Sequence, residues 1–214
     1  MSRIIDTGLE EQSVIIVRMG ELAFETLTIS IHGYLEGKRV QDKIQELSDI
    51  LLSMADKVED EAFQLIARYQ PVATDLRTIK SYMKIANDFS RYGRYALDIS
   101  YIGDELCGLN RCETWIRDYI NEMSEKVLRM VRISVDSLKK QDVILAKTVA
   151  QLEREVDKMY FAFFNKLINS DCVDVKRVIS SSLMIRYLER IADHAIYVCE
   201  SILYIVSGEK LDLD

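Results

Sequence analysis

The sequence predicts an all-α protein built as two tandem three-helix bundles related by internal duplication. Three observations carry this prediction. The first is a scarcity of helix breakers: 214 residues contain one Pro and eight Gly, where an average chain would hold roughly ten and about fifteen. Turns draw on Gly, Pro, Asn and Asp for their dihedrals, so a chain this poor in breakers has few turns and long elements. Strands average only about five or six residues, so long elements mean helices. The second observation is periodicity, with apolar residues recurring at three- and four-residue steps almost throughout. The third is repetition: a shift of 99 residues places Asp75 on Asp174, Ser81 on Ser180, Arg91 on Arg190 and Ala96 on Ala195. Conservative pairs lie between them, including Arg77 with Lys176, Phe89 with Leu188 and Ile99 with Val198.

Six helices follow in order. The first runs from about Glu10 to Tyr34 and stops near Gly33 and Gly37. The second runs from about Val40 to Tyr69. Pro71, the single proline, is placed at the first turn of the third helix, where its missing N–H costs nothing. That helix runs from about Val72 to Ile102. The stretch Gly103 to Asn110 is the longest interruption of the pattern, and it divides a first bundle, 1–105, from a second, 106–214. The fourth helix runs from about Arg111 to Leu138. Asp142 is a candidate N-cap for the fifth, which continues to about Ile168. Asn169 to Asp174 is a polar turn, and Asp174 is a second candidate cap. The sixth helix reaches about Val206, Gly208 ends it, and Glu209 to Asp214 is expected to be loose.

Composition excludes several classes. Hydrophobic residues at 49% and charged residues at 29% describe a globular chain, not a disordered one. A formal net charge of −7 argues against a general nucleic-acid binder and leaves cations and basic partner surfaces open. No apolar run approaches the roughly 18 residues of a spanning helix. Asp6, Glu10 and Glu11 interrupt any signal-peptide pattern. The expectation is a cytoplasmic protein. Cys107, Cys112, Cys172 and Cys199 are scattered with no His placed to complete a zinc knuckle, so reduced thiols are expected.

The residues with chemistry to offer are acidic. Glu153 and Asp157 stand four apart on the fifth helix, and Glu189 and Asp193 four apart on the sixth. Residues four apart share a helix face. Two carboxylates there repel unless a cation lies between them. Each acid follows a member of its helix's apolar stripe: Leu152, Val156, Leu188 and Ala192. All four therefore lie at a stripe edge, where two neighbouring helices can aim them at one groove, as helical di-metal carboxylate proteins do. Solvated helix faces carry such pairs too, and spacing alone does not separate the readings. His194 beside Asp193 reads as a surface or hydrogen-bonded residue before a ligand. Tyr82, Tyr92, Tyr95, Tyr101 and Tyr119 read as core-edge tyrosines. No Gly-rich phosphate loop and no nucleophile–His arrangement stands out, and two His limit acid–base chemistry. A di-metal oxidase would carry Glu-x-x-His on two helices, and the chain has none.

The segment Leu65-Ile-Ala-Arg-Tyr-Gln-Pro-Val-Ala-Thr-Asp-Leu-Arg77 resembles the signature of the PhoU proteins, and Leu188-Glu-Arg-Ile-Ala-Asp-His-Ala195 resembles its counterpart in the second repeat. The resemblance covers nearly the whole chain. It implies a non-enzymatic, cytoplasmic regulator of phosphate uptake and phosphate signalling. Such a protein restrains a phosphate ABC importer through its ATPase subunit and, in many bacteria, a histidine kinase. A homodimer is compatible with long exposed helix faces. The resemblance also implies metal binding by E/D-x-x-x-D motifs, which Glu153 with Asp157 and Glu189 with Asp193 match, with iron or zinc as the associated metals.

The first repeat departs from that pattern. It has Phe89-Ser-Arg-Tyr-Gly-Arg94 where the family has Leu-Glu-Arg-Ile-Gly-Asp, and Leu47-Ser-Asp-Ile-Leu-Leu-Ser53 on the second helix. A guanidinium at Arg94 stays charged and cannot ligate. One metal site per chain is expected, with Arg94 offered to Asp56, Glu59 or Asp60 as an ion pair. The alternative function is a divergent PhoU-like metal-binding adaptor serving transcriptional regulation or metal storage.

Overall fold

A computed structural model describes residues 4–106, 114–170 and 174–213. Seven helical segments account for them: α1 (Ile4–Glu36), α2 (Gln41–Tyr69), α3 (Thr74–Leu106), α4 (Thr114–Lys140), α5 (Val143–Lys147), α6 (Val149–Ile168) and α7 (Val175–Ser207). No strand occurs among the described residues. The short α5 and α6 together replace the single fifth helix expected, which breaks at Thr148. There the Thr148 hydroxyl and amide both donate to the Leu145 carbonyl, tightening the turn. The remaining rods are those expected, with ends moved by a few residues.

Both predicted aspartate caps form. Asp142 accepts from the amides of Ile144 and Leu145, and Asp174 from those of Lys176 and Arg177. Each satisfies two of the amides a helix start leaves without partners. Gly208 ends α7 at φ +79°, a left-handed conformation suited to glycine. Pro71 is not at a helix start. Gln70 and Ala73 both take φ +47°, so the chain turns twice around the proline before α3 begins at Thr74. Gly103 to Leu106, read as the start of the midpoint connection, continues α3. Residues 107–110 of that connection lie outside the described residues, as do 171–173 of the later turn and Cys107, Cys112 and Cys172. Cys199 is a free, buried thiol, and burial pushes its pKa up.

Helices α1, α2 and α3 pack as one bundle and α4, α5/α6 and α7 as the other, and α3 against α7 and α1 against α4 join them. One continuous apolar core runs through both, from Ile16, Leu27, Ile85 and Phe89 to Met130, Phe163, Leu188 and Leu203. Polar stitches cross the junction. The Tyr34 hydroxyl meets the Ser180 hydroxyl at 2.9 Å in the interior. Arg132 of α4 pairs with Glu21 of α1 at 2.8 Å and lies over the Phe24 ring.

Gly93 lets α2 and α3 approach closely. A Cβ there would stand 3.2 Å from the Ser48 backbone and 3.0 Å from Leu51. Replacing Gly93 with Val is expected to cost about 2 kcal/mol by overpacking. A melting temperature within about 1 °C of wild type would show that α2 is free to move aside.

Candidate metal centre and the helix crossing behind it

The acidic motifs of the second repeat are built on α6 and α7, packed side by side. The apolar stripes place them: Val156, Leu188 and Ala192 are buried, which holds the residue after each at the edge of the seam. Glu153 is itself buried, 6% exposed. Glu189 and Asp193 are largely covered, their side chains 15% and 22% exposed.

Each α7 acid already has a cation one turn before it. Arg186 Nη1 donates to both carboxylate oxygens of Glu189 at 2.9 Å, and Arg190 Nη1 to Asp193 at 3.1 Å. Even so, the Glu189 carboxyl titrates above the usual carboxylate range. Burial is the main cause, the charge of Asp193 adds to it, and the arginines offset part; Asp157, reaching from α6, adds further. Three of the four predicted acids thus act on one another electrostatically, across two helices.

The donor set fits a hard or borderline cation in its chemistry, all oxygen and in excess of negative charge. As the side chains lie, no three His, Cys, Asp or Glu among the described residues are grouped to hold one. Accepting an ion requires Arg186 and Arg190 to swing aside. These arginines stand three residues before their acids and are readable in the sequence.

The first repeat presents a different surface. Aligned on their buried members, Leu51 and Val156, Ser48 takes the place of Glu153 and Leu52 that of Asp157. Leu52 is 57% exposed. With Ser90 and Arg94, the four positions hold no carboxylate. Arg94 does not pair with Asp56, Glu59 or Asp60 among the described residues. The acid it acts on is Asp98, one turn along α3, whose carboxyl is raised by burial and lowered again by Arg94.

Behind the acids, α7 packs antiparallel along α3, from Arg77 beside Ile205 to Tyr95 beside Tyr187. His194 is not a surface residue. Its Nδ1 lies 2.9 Å from Asp88 Oδ1, its Nε2 lies 3.3 Å from the Tyr95 hydroxyl, and both His194 and Asp88 are buried. The 99-residue shift explains the arrangement. It relates Tyr95 to His194 and Asp88 to Tyr187, so the contact Tyr95–His194 sits on the pseudo-two-fold axis. The contact Asp88–His194 has as its mate the ring contact Tyr187–Tyr95, at 6.2 Å between centroids. Tyr95 also lies by the Arg190 side chain and raises the arginine's pKa. Of the predicted core-edge tyrosines, Tyr82 and Tyr92 are buried outright and Tyr101 is 55% exposed.

Two copies of one fold, packed along their third helices, match a known domain. The profile of the PhoU domain fits residues 16–102 and again 120–202. The chain belongs to the PhoU family. It is 32% identical to the phosphate-specific transport system accessory protein PhoU homolog of Clostridium acetobutylicum, over 99% of this chain and 98% of that protein. It is 27% identical to the homolog of Pseudomonas aeruginosa, over 97% and 87%. The crystal structure of PhoU from P. aeruginosa superposes with a TM-score of 0.89 at 26% identity, covering 95% of this chain and 99% of that one. The phosphate transport system regulatory protein PhoU of Streptococcus pneumoniae shares the fold, with a TM-score of 0.77 at 21% identity. The PhoU domain thus accounts for both repeats.

Proposed function

We propose that this PhoU-family chain is a non-enzymatic accessory regulator of phosphate transport, acting by contact with the ATPase subunit of a phosphate ABC importer or with an associated histidine kinase. The observation that carries the reading is similarity along the whole chain to phosphate-specific transport system accessory proteins. The surface supports action by contact. Phe161 and Ile168 of α6 and Val175 and Ile179 of α7 leave apolar side chains in solvent on the two helices flanking the 169–174 turn. Aromatic and aliphatic anchors of this kind carry much of the energy in protein interfaces. The net charge of −7 favours a basic partner face and speeds encounter with it. No described helix is long and apolar enough to cross a membrane. The protein acts in the cytoplasm in this reading, and its long helix faces allow a homodimer.

In the same reading Glu153, Asp157, Glu189 and Asp193 hold one metal ion. When bound, the ion supplies positive charge to the α6–α7 seam. Arg190, which pairs with Asp193 at the seam, also lies by Tyr95 on the axis between the repeats and so would link a bound ion's site to the junction.

The test is co-purification of the importer's ATPase subunit with the tagged chain, from cells grown at low and at high phosphate. The expected result is association in at least one condition, weakened about tenfold or more by Phe161→Asp with Ile168→Asp. No association in either condition, with the kinase also absent, favours the metal-binding adaptor instead.

A further inference from the structure

Residues 209–213, expected to trail loosely, fold back as a strap. Leu213 packs against the core, and its amide donates to Glu200 Oε1 at 3.2 Å. Between the strap and helices α3 and α7 lies a cavity of about 300 Å³, at the lower end of the range that small-molecule sites occupy. Its walls are Lys80, Ser81 and Lys84 from α3, Tyr204 from α7, and Lys210 and Leu211 from the strap.

The charge here runs against the rest of the protein. The chain as a whole carries −7, yet three lysines line this space beside one carboxylate, Glu200. That carboxylate is engaged by the strap's own backbone. Lys80 and Lys210 form no ion pair among the described residues, and Lys84 lies over the Tyr197 ring. All three lysines are exposed, and together they favour an anion between them.

A second feature points the same way. Ser81 is only 3% exposed, and its hydroxyl makes no hydrogen bond among the described residues. Across the cavity, Ser201 returns its hydroxyl to the Tyr197 carbonyl at 2.7 Å, as helical serines do. On the cavity wall that hydroxyl is free to donate to a group that enters.

We propose that this cavity binds a small organic phosphate. Its dianionic head lies among Lys80, Lys84 and Lys210 and accepts from Ser81, and its body lies against Tyr204 and Leu211. A phosphate offers three strong acceptor oxygens, enough for several separate ammonium donors at once. Two of the contacts come from the strap, so occupancy draws residues 209–213 onto the junction of the two repeats. The inference does not depend on which transport partner the protein has.

Calorimetric titration at low ionic strength with AMP, adenosine and inorganic phosphate tests it. AMP is expected to bind, adenosine not to bind, and inorganic phosphate to bind more weakly than AMP. Lys80→Ala with Lys84→Ala should weaken AMP at least about tenfold, since hydrogen bonds to charged groups are the strong ones. Lys43→Ala with Lys158→Ala removes the same charge elsewhere and should leave the affinity alone. Melting curves confirm that both double variants fold. Failure of both AMP and inorganic phosphate to bind overturns the proposal, as does equal weakening in the control pair. Phosphate binding as tightly as AMP overturns the role given to Tyr204 and Leu211.

Discussion

Replacing His194 with leucine is expected to cost about 3 kcal/mol of stability or more, because it strands a buried carboxylate. In a chain of this length that is a fall in melting temperature of roughly 6–12 °C. Asp88 is 5% exposed and its Oδ2 already lacks a hydrogen-bond partner, so His194 Nδ1 at 2.9 Å is the contact that keeps the carboxylate tolerable between α3 and α7. The tautomer that donates from Nδ1 leaves Nε2 to accept from the Tyr95 hydroxyl. Removing the imidazole therefore breaks both links across the axis. Tyr92, buried outright, packs edge-on against the His194 ring with centroids 6.4 Å apart. Asp88→Leu combined with His194→Leu should recover most of the loss, since replacing both partners of a buried polar pair by apolar groups is often near neutral. Urea denaturation of the two singles and the double measures this. A cost below about 1 kcal/mol for His194→Leu would mean that water reaches Asp88.

What could be read before folding divides along the range of the forces involved. Asp142 and Asp174 were legible as caps because a cap is made within three residues of itself. The long rods were legible because burial imposes its period on each of them. The break at Thr148 was not, since the apolar stripe of Leu145, Val149 and Leu152 runs through it undisturbed and only the Thr148 hydroxyl marks the turn. Pro71 was misplaced because positive φ at Gln70 and Ala73, two residues that seldom adopt it, came between the proline and the helix. The strap could not be foreseen: Leu213 finds its partners only once the helices have packed into the core. His194 gave no signal by type or spacing. The repeat register did hold one, because it equates His194 with Tyr95 and so places both on the axis. For the acids, spacing located the shared seam of α6 and α7. It could not show that Arg186 and Arg190 fill it.

Those two arginines make the metal reading testable in both directions. Purified wild-type chain, incubated with iron or zinc and desalted, is expected to retain about one ion, and Glu189→Ala with Asp193→Ala none. At a free metal concentration about a hundredfold over the dissociation constant, binding should add about 2.7 kcal/mol, a rise in melting temperature of roughly 5–11 °C that the double variant lacks. The apo state is where the arginines matter. The ion has to displace Arg186 from a two-pronged contact with Glu189 and Arg190 from Asp193, so part of its binding energy goes into breaking those pairs. Arg186→Ala should then weaken the apo protein slightly, since partly exposed pairs are worth about 0.2–1 kcal/mol, while raising metal affinity severalfold. The opposite assignment, in which the arginines are the permanent counter-ions of the acids, predicts the same small loss in the apo protein and no metal-dependent melting in any variant. Equal metal content in wild type and the double variant would settle the matter against the site. It would leave α7 with a set of intrahelical ion pairs where the first repeat, with Ser90 and Arg94, has already given up its acids.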